Sequence, residues 1–155
     1  MNDNLAAMEN YFMALADRTR LRLLNLMREG EICVCYFTAA LEESQPKVSR
    51  HLAYLRQSGL VETSREGKWI YYRIAEPGNL SAKKVLQETL EWLSNDEQMR
   101  ADRNRLLKIN CADADEIPIA IQRAPRAIFA LQKANMSVET ASAANNKKQL
   151  ADYLL

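Results

Sequence analysis

The run from Ser44 to Arg73, S-Q-P-K-V-S-R-H-L-A-Y-L-R-Q-S-G-L-V-E-T-S-R-E-G-K-W-I-Y-Y-R, leaves few folds open to this chain. Ser44 is a helix-capping residue type, Pro46 fits a first turn, and Val48, Leu52 and Leu55 recur at the spacing of one buried helical face. Gly59 then ends the helix. The opposite face carries Gln45, Lys47, Ser49, Arg50, His51 and Arg56, donors and cations suited to a polyanion. Leu60 to Arg65 reads as a short extended run and Glu66-Gly67-Lys68 as a tight turn. Trp69-Ile70-Tyr71-Tyr72-Arg73-Ile74, rich in aromatic and β-branched residues, completes a hairpin. Helix plus hairpin is a winged-helix pattern.

Charge supports that reading. Between Gln45 and Arg73 stand six cations, Lys47, Arg50, Arg56, Arg65, Lys68 and Arg73, against Glu62 and Glu66, whereas the whole 155-residue chain has a net charge of only +1. Positive charge is concentrated where a helix and a wing meet phosphate, the distribution expected of a DNA-binding face.

A chain of this length holds one domain with a core plus an appendage. No apolar run approaches the roughly 20 residues that span a bilayer, and Met1-Asn2-Asp3-Asn4 lacks the basic start of a signal peptide. The expectation is a cytoplasmic protein with no membrane partner. Its three cysteines, an odd number, argue against a disulfide framework in a reducing compartment and towards metal binding or redox chemistry. The one histidine is His51.

Leu5, Met8, Phe12 and Leu15 predict a first helix from about Asn4 to Ala16, with Asp17 placed to cap the next. From Arg18 to Arg28, Leu21, Leu23, Leu24, Leu26 and Met27 form a broad apolar stripe, with Arg18, Arg20, Arg22 and Arg28 expected to face outward and Gly30 to stop the helix. Glu31 to Leu41 reads as a third, mostly buried helix, joined through Glu42-Glu43-Ser44 to the basic helix as a helix-turn-helix. After the turn Glu76-Pro77-Gly78-Asn79, a long helix begun by Asn79 or Ser81 and carrying Val85, Leu86, Thr89, Leu90 and Leu93 is expected to run past Met99 towards Leu107. Its stripe needs another surface, and a homodimer through Leu5, Met8, Phe12, Leu86, Leu90 and Leu93 is the economical answer. The domain organisation expected is 1–107 as a winged-helix DNA-binding and dimerisation domain, and 108–155 as a C-terminal extension of unknown role. Residues 112–155 carry five acidic and five basic side chains and so supply no basic arm; 127–134 and 138–154 each read as a helix.

Four motifs in order carry a resemblance: Leu15-Ala16-Asp17-Arg18-Thr19-Arg20-Leu21-Arg22-Leu23-Leu24, Glu31-Ile32-Cys33-Val34-Cys35, Ser44 to Leu52, and Glu66-Gly67-Lys68-Trp69-Ile70-Tyr71-Tyr72-Arg73. Together they look like the ArsR/SmtB family of metal-responsive bacterial repressors, over about residues 5–104. The resemblance implies a mostly α, dimeric winged helix-turn-helix with a small β-hairpin wing. It also implies a repressor of its own operon, not an enzyme, that leaves its double-stranded DNA operator when a metal or metalloid binds, and the expected homodimer makes a palindromic operator the expectation. The C-V-C pattern resembles the arsenic and antimony branch. Arsenic sensors of the family often carry a further cysteine three residues on, where this chain has Thr38. The cysteines in an N-terminal arm and the histidines of a last helix, which serve other branches, are absent.

Thiolates select soft ions, so Cys33 and Cys35, with Cys111 as the remaining thiol, favour As(III) or Sb(III) as inducing ligand, with no constitutive cofactor. On a regular helix Cys33 and Cys35 would lie about 200° apart, so gripping one ion is expected to distort the start of the third helix and shift the DNA-reading face. Gln45, Lys47, Ser49, Arg50 and His51 are expected to read the major groove, and Arg65, Lys68 and Arg73 to hold phosphate from the wing. Two alternatives share the fold, a redox-sensing repressor pairing Cys33 or Cys35 with Cys111 and a cadmium- or lead-sensing repressor. A third, a small thiol enzyme of arsenic handling, lacks any acid/base pair beside its cysteines.

Overall fold

The computed structural model describes residues 4–111, in the order α1 (Asn4–Leu15), α2 (Arg18–Leu26), a 3₁₀ turn (Met27–Glu29), β1 (Ile32–Cys33), α3 (Val34–Leu41), α4 (Gln45–Gln57), β2 (Val61–Glu66), β3 (Trp69–Ile74), α5 (Leu80–Ser94) and α6 (Glu97–Cys111). The helices expected over 127–134 and 138–154 lie outside the described residues. So does nearly all of the expected extension, and the boundary placed at 107 falls within α6.

Local chemistry sets most of these limits. The Asp17 carboxylate accepts the Arg20 N–H at 2.9 Å and starts α2, while the Asn79 side chain accepts the N–H groups of Ser81 and Ala82 to start α5. Ser44 occupies the cap position of α4, but its hydroxyl makes no capping bond, and its backbone carbonyl instead accepts the Val48 N–H at 3.0 Å. Gly59, at φ +76°, turns the chain out of α4, and Gly67, at φ +58°, makes the tight turn of the wing.

Leu23, Leu24, Ile32, Phe37, Leu52, Leu55, Leu60 and Leu106 are buried in one core. Each such side chain contributes about 1.5–3 kcal/mol relative to exposure. Val48, Leu52 and Leu55 thus seat α4 from beneath and leave its other face to solvent.

Four expectations are corrected. The third helix does not begin at Glu31: Ile32 and Cys33 form a strand that extends the wing into a three-stranded antiparallel sheet of order β1-β3-β2. Its register sets Ile32 opposite Tyr72 and Cys33 opposite Tyr71. A two-residue strand has no periodicity to read, so only its pairing partner defines it. The expected long last helix is two helices, since α5 is capped at Asn95 and Asp96 restarts the chain by accepting the Met99 N–H at 3.1 Å. Arg20 and Arg22 do not face outward: their side chains are only 12% exposed, and Arg20 donates to the carbonyls of Ala14 and Met13. Leu86 is already covered by its own chain, at 4% exposure, and needs no second copy.

Candidate DNA-binding and thiol site

The solvent face of α4 presents Gln45, Arg50 and Arg56 exposed, with Lys47, Ser49 and His51 half-buried beside them. Lys47 Nζ donates to Glu43 Oε1 at 2.7 Å, and this bond is the main cause holding the Glu43 carboxyl below the usual carboxylate range. His51 Nδ1 lies 3.4 Å from Asp17 Oδ1. Burial works to raise the Asp17 carboxyl, but the Arg20 N–H and the charges of Arg20 and His51 outweigh it, and the group is lowered. On the wing, Arg65 Nε donates to the Gly67 carbonyl at 2.9 Å and Lys68 Nζ stands 5.2 Å from the Trp69 ring centre. Arg73 donates to Glu62 at 2.6 Å and to Glu31 at 2.9 Å.

Of the eight side chains expected to meet DNA, Lys47, His51 and Arg73 therefore stand against carboxylates. Gln45, Arg50, Arg65 and Lys68 point to solvent without an acidic partner among the described residues. Tyr54 is also exposed on α4, with the Arg20 guanidinium 4.2 Å from its ring centre.

Strand β1 arranges the thiols. Cys33 sits at the cap position of α3 with extended backbone, φ −74° and ψ 148°, and Cys35 lies in the first turn, half-exposed. Because Cys33 is outside the helix, the 200° separation does not apply, and Cys35 Sγ donates to Cys33 Sγ at 3.4 Å. No helix turn has to unwind for both sulfurs to reach one ion. The Cys33 thiol is lowered to about 6, first because it accepts the Cys35 S–H and then through the backbone N–H groups of Cys35 and Val34, against the cost of burial. Cys35, holding the shared proton and partly buried, is pushed up.

The thiol pair is tied to the wing as well as to α3. Glu31, two residues before Cys33, accepts from Ser64 of β2 at 3.0 Å and from Arg73 of β3 at 2.9 Å. Cys111 is exposed at the end of α6, and among the described residues no three His, Cys, Asp or Glu side chains form a group able to hold a metal. The third thiol is thus not brought to the other two.

The surface expected to pair two copies is partly apolar and open. Leu5 is 75%, Met8 50% and Phe12 48% exposed on α1, while Leu90 and Leu93 of α5 are half-buried. Trp92, at 82% exposure, was not among the expected interface residues. No helix among the described residues is long and apolar enough to cross a membrane.

Residues 17–63 match the model described as "Bacterial regulatory protein, arsR family". The chain is 43% identical over 102 residues to the arsenical resistance operon repressor of Escherichia coli (strain K12), covering 65% of this chain and 86% of that one. It is 49% identical over 90 residues to the arsenic resistance transcriptional regulator ArsR1 of Pseudomonas putida, covering 55% of this chain and 70% of the relative. Among solved structures, the transcriptional repressor BigR from Xylella fastidiosa is similar at a TM-score of 0.52 and 30% identity, over 63% of this chain and 93% of that one.

Proposed function

Because the chain belongs to the arsR family of bacterial regulatory proteins, DNA-binding transcriptional regulators rather than enzymes, we propose that it is a repressor released from its operator by trivalent arsenic or antimony bound at Cys33 and Cys35. The observation that carries the reading is the 3.4 Å separation of the two sulfurs at the junction of helix-turn-helix and wing. Two soft donors at that spacing, without a histidine beside them, suit a thiophilic metalloid better than a four-coordinate zinc ion. The Cys33 thiolate displaces one hydroxide from arsenous or antimonous acid, which leaves as water with a proton from solvent, and the Cys35 thiol displaces a second, which leaves as water with the thiol's own proton; each time an S–As or S–Sb bond replaces a bond to oxygen.

The DNA face consists of Gln45, Lys47, Ser49, Arg50 and His51 on α4, with Arg65, Lys68 and Arg73 on the wing. Gln45, Arg50, Arg65 and Lys68 are oriented to meet DNA directly. Lys47, His51 and Arg73 must exchange Glu43, Asp17 and Glu62 with Glu31 for phosphate or base edges. Induction acts through the sheet: a ligand on Cys33 moves the strand that pairs with β3, and so moves the wing. A coupling of about 1–3 kcal/mol weakens operator binding about 5- to 150-fold.

Two copies pair through Leu5, Met8, Phe12, Leu90, Leu93 and Trp92, which fits a palindromic operator. Cys111 enters as a late, third ligand, and the site of action is cytoplasmic. A gel shift on the promoter of its own gene with arsenite, antimonite, cadmium and zinc tests the reading. Release by arsenite or antimonite at concentrations where zinc has no effect is expected. Release by peroxide alone, with none of the four ions active, would replace it by the redox alternative.

A further inference from the structure

The carboxylate of Asp102 is 0% exposed and belongs to α6, a helix that the family match over residues 17–63 does not reach. It accepts four hydrogen bonds, from Arg22 Nε at 2.6 Å, Arg22 Nη2 at 2.8 Å, Arg105 Nη2 at 2.7 Å and Gln98 Nε2 at 2.8 Å. A buried ion cluster of this kind is weak evidence for stability, so its geometric consequence is what distinguishes it.

Neither guanidinium ends at Asp102. Arg22 Nη2 also donates to the Leu41 carbonyl at 3.2 Å, and Arg105 Nε donates to the Ala40 carbonyl at 2.9 Å. These are among the last carbonyls of α3, which have no partner within their own helix. Arg105 Nη1 reaches Glu42 at 2.7 Å, and Arg22 Nη1 stands 3.9 Å from Glu43. Arginines from α2 and α6 thus reach every residue from Ala40 to Glu43, the last two of α3 and the first two of the turn into α4. Glu42 in that turn has φ 56° and ψ 40°, a left-handed conformation that a non-glycine residue holds only when its surroundings enforce it. Glu43 passes the constraint on, since it accepts from Lys47 in the first turns of α4.

We propose that Asp102 is a positioning residue for DNA recognition: by orienting Arg22 and Arg105 it sets the turn that aims α4, and α6 is therefore part of the DNA-reading unit. The inference rests on α4 being the DNA-reading helix. Asp102 makes no contact with DNA itself; it acts on sequence preference through the angle of α4.

The test uses the full chain and two duplexes, the best one selected by wild type from a random pool and a random-sequence duplex of equal length. Asp102→Asn removes the charge at constant shape, and Arg105→Lys keeps a cation beside Asp102 but loses the fork that holds Ala40 and Glu42. Each is compared with wild type by fluorescence anisotropy, at a temperature where circular dichroism shows it folded. Both are expected to lose about tenfold in affinity for the selected duplex and to bind the random duplex within about twofold of wild type. The double variant is expected to lose no more than the larger single loss, because both substitutions release the same turn. If Asp102→Asn does not fold, Arg105→Lys decides alone. Wild-type preference in the folded variants, or equal loss on both duplexes, overturns the inference while leaving α4 as the reading helix. Failure of the wild type itself to select any duplex overturns the reading of α4 instead.

Discussion

Cys33 of β1 lies directly opposite Tyr71 of β3 in the antiparallel ladder, so a thiol proposed to bind metalloid is one residue pair away from the backbone of the wing. Facing pairs in such a ladder are about 4.5–5.5 Å apart at Cα. A displacement of Cys33 is therefore transmitted to β3 through paired backbone rather than through a flexible loop.

The first prediction reads that movement from Trp69, two residues before Tyr71. In a Trp92→Phe background Trp69 is the only tryptophan left in the chain. Arsenite is expected to change its fluorescence at the same concentration that releases DNA, and Cys33→Ser to abolish the change. Full DNA release with unaltered Trp69 emission would show that the signal travels through α3 alone.

The cysteines are expected to act unequally. Cys33→Ser or Cys35→Ser should stay bound to operator in arsenite, because one thiolate cannot chelate. Cys111→Ser should bind DNA normally and respond more weakly or slowly, as expected of a ligand that is exposed and apart from the pair. Wild-type release by both Cys33→Ser and Cys35→Ser would end the thiol-sensor reading.

Acidity supplies a third check. Cys33 is lowered from an ordinary 9.0 to about 6, so its ionisation favours the folded state. That stability is present in full above about pH 9 and is lost as pH falls through about 6, while the raised Cys35 opposes it at still higher pH. Ultraviolet thiolate absorbance should show one thiol ionising near pH 6 in wild type. In Cys35→Ala that ionisation should move up, since the S–H donor is gone. A wild-type titration with all thiols near 9 would contradict the shared proton.

The DNA face divides by role. Arg50→Ala is expected to abolish binding to the selected operator, because Arg50 is exposed on α4 without an acidic partner among the described residues. Lys68→Ala should weaken all sequences alike and lower the slope of log affinity against log salt by about 1. Operator binding by Arg50→Ala at wild-type affinity would remove α4 from base recognition.

Trp92→Glu places a charge in the most exposed large apolar side chain of α5. Sedimentation should find wild type dimeric at micromolar concentration and the variant monomeric, with circular dichroism unchanged. A wild type that sediments as a monomer would dismiss the dimer and the palindromic site together.

Sequence by itself determined the elements whose cause is local. The period of Val48, Leu52 and Leu55, the left-handed Gly59 and Gly67, and the capping Asp17 and Asn79 each act within a few residues, so α4, the wing and the starts of α2 and α5 are legible in the residues alone. Motif order carried the family for the same reason. Tertiary structure alone decided where cause and effect lie far apart in the chain. Cys33 becomes a strand residue because β3, 38 residues later, supplies its partner, and this is what brings its sulfur to Cys35. Arg22 turns inward because Asp102, 80 residues away, is buried beside it, although its place in an arginine-rich helix reads as solvent-facing. His51 and Arg73 read as a free donor and a free cation until folding sets Asp17 and Glu31 against them, whereas Lys47 meets Glu43 one helical turn away, a local pairing that the spacing already offers. Periodicity reports which face of an element is apolar; it carries no information about which distant charge will meet a polar residue once apolar faces have packed.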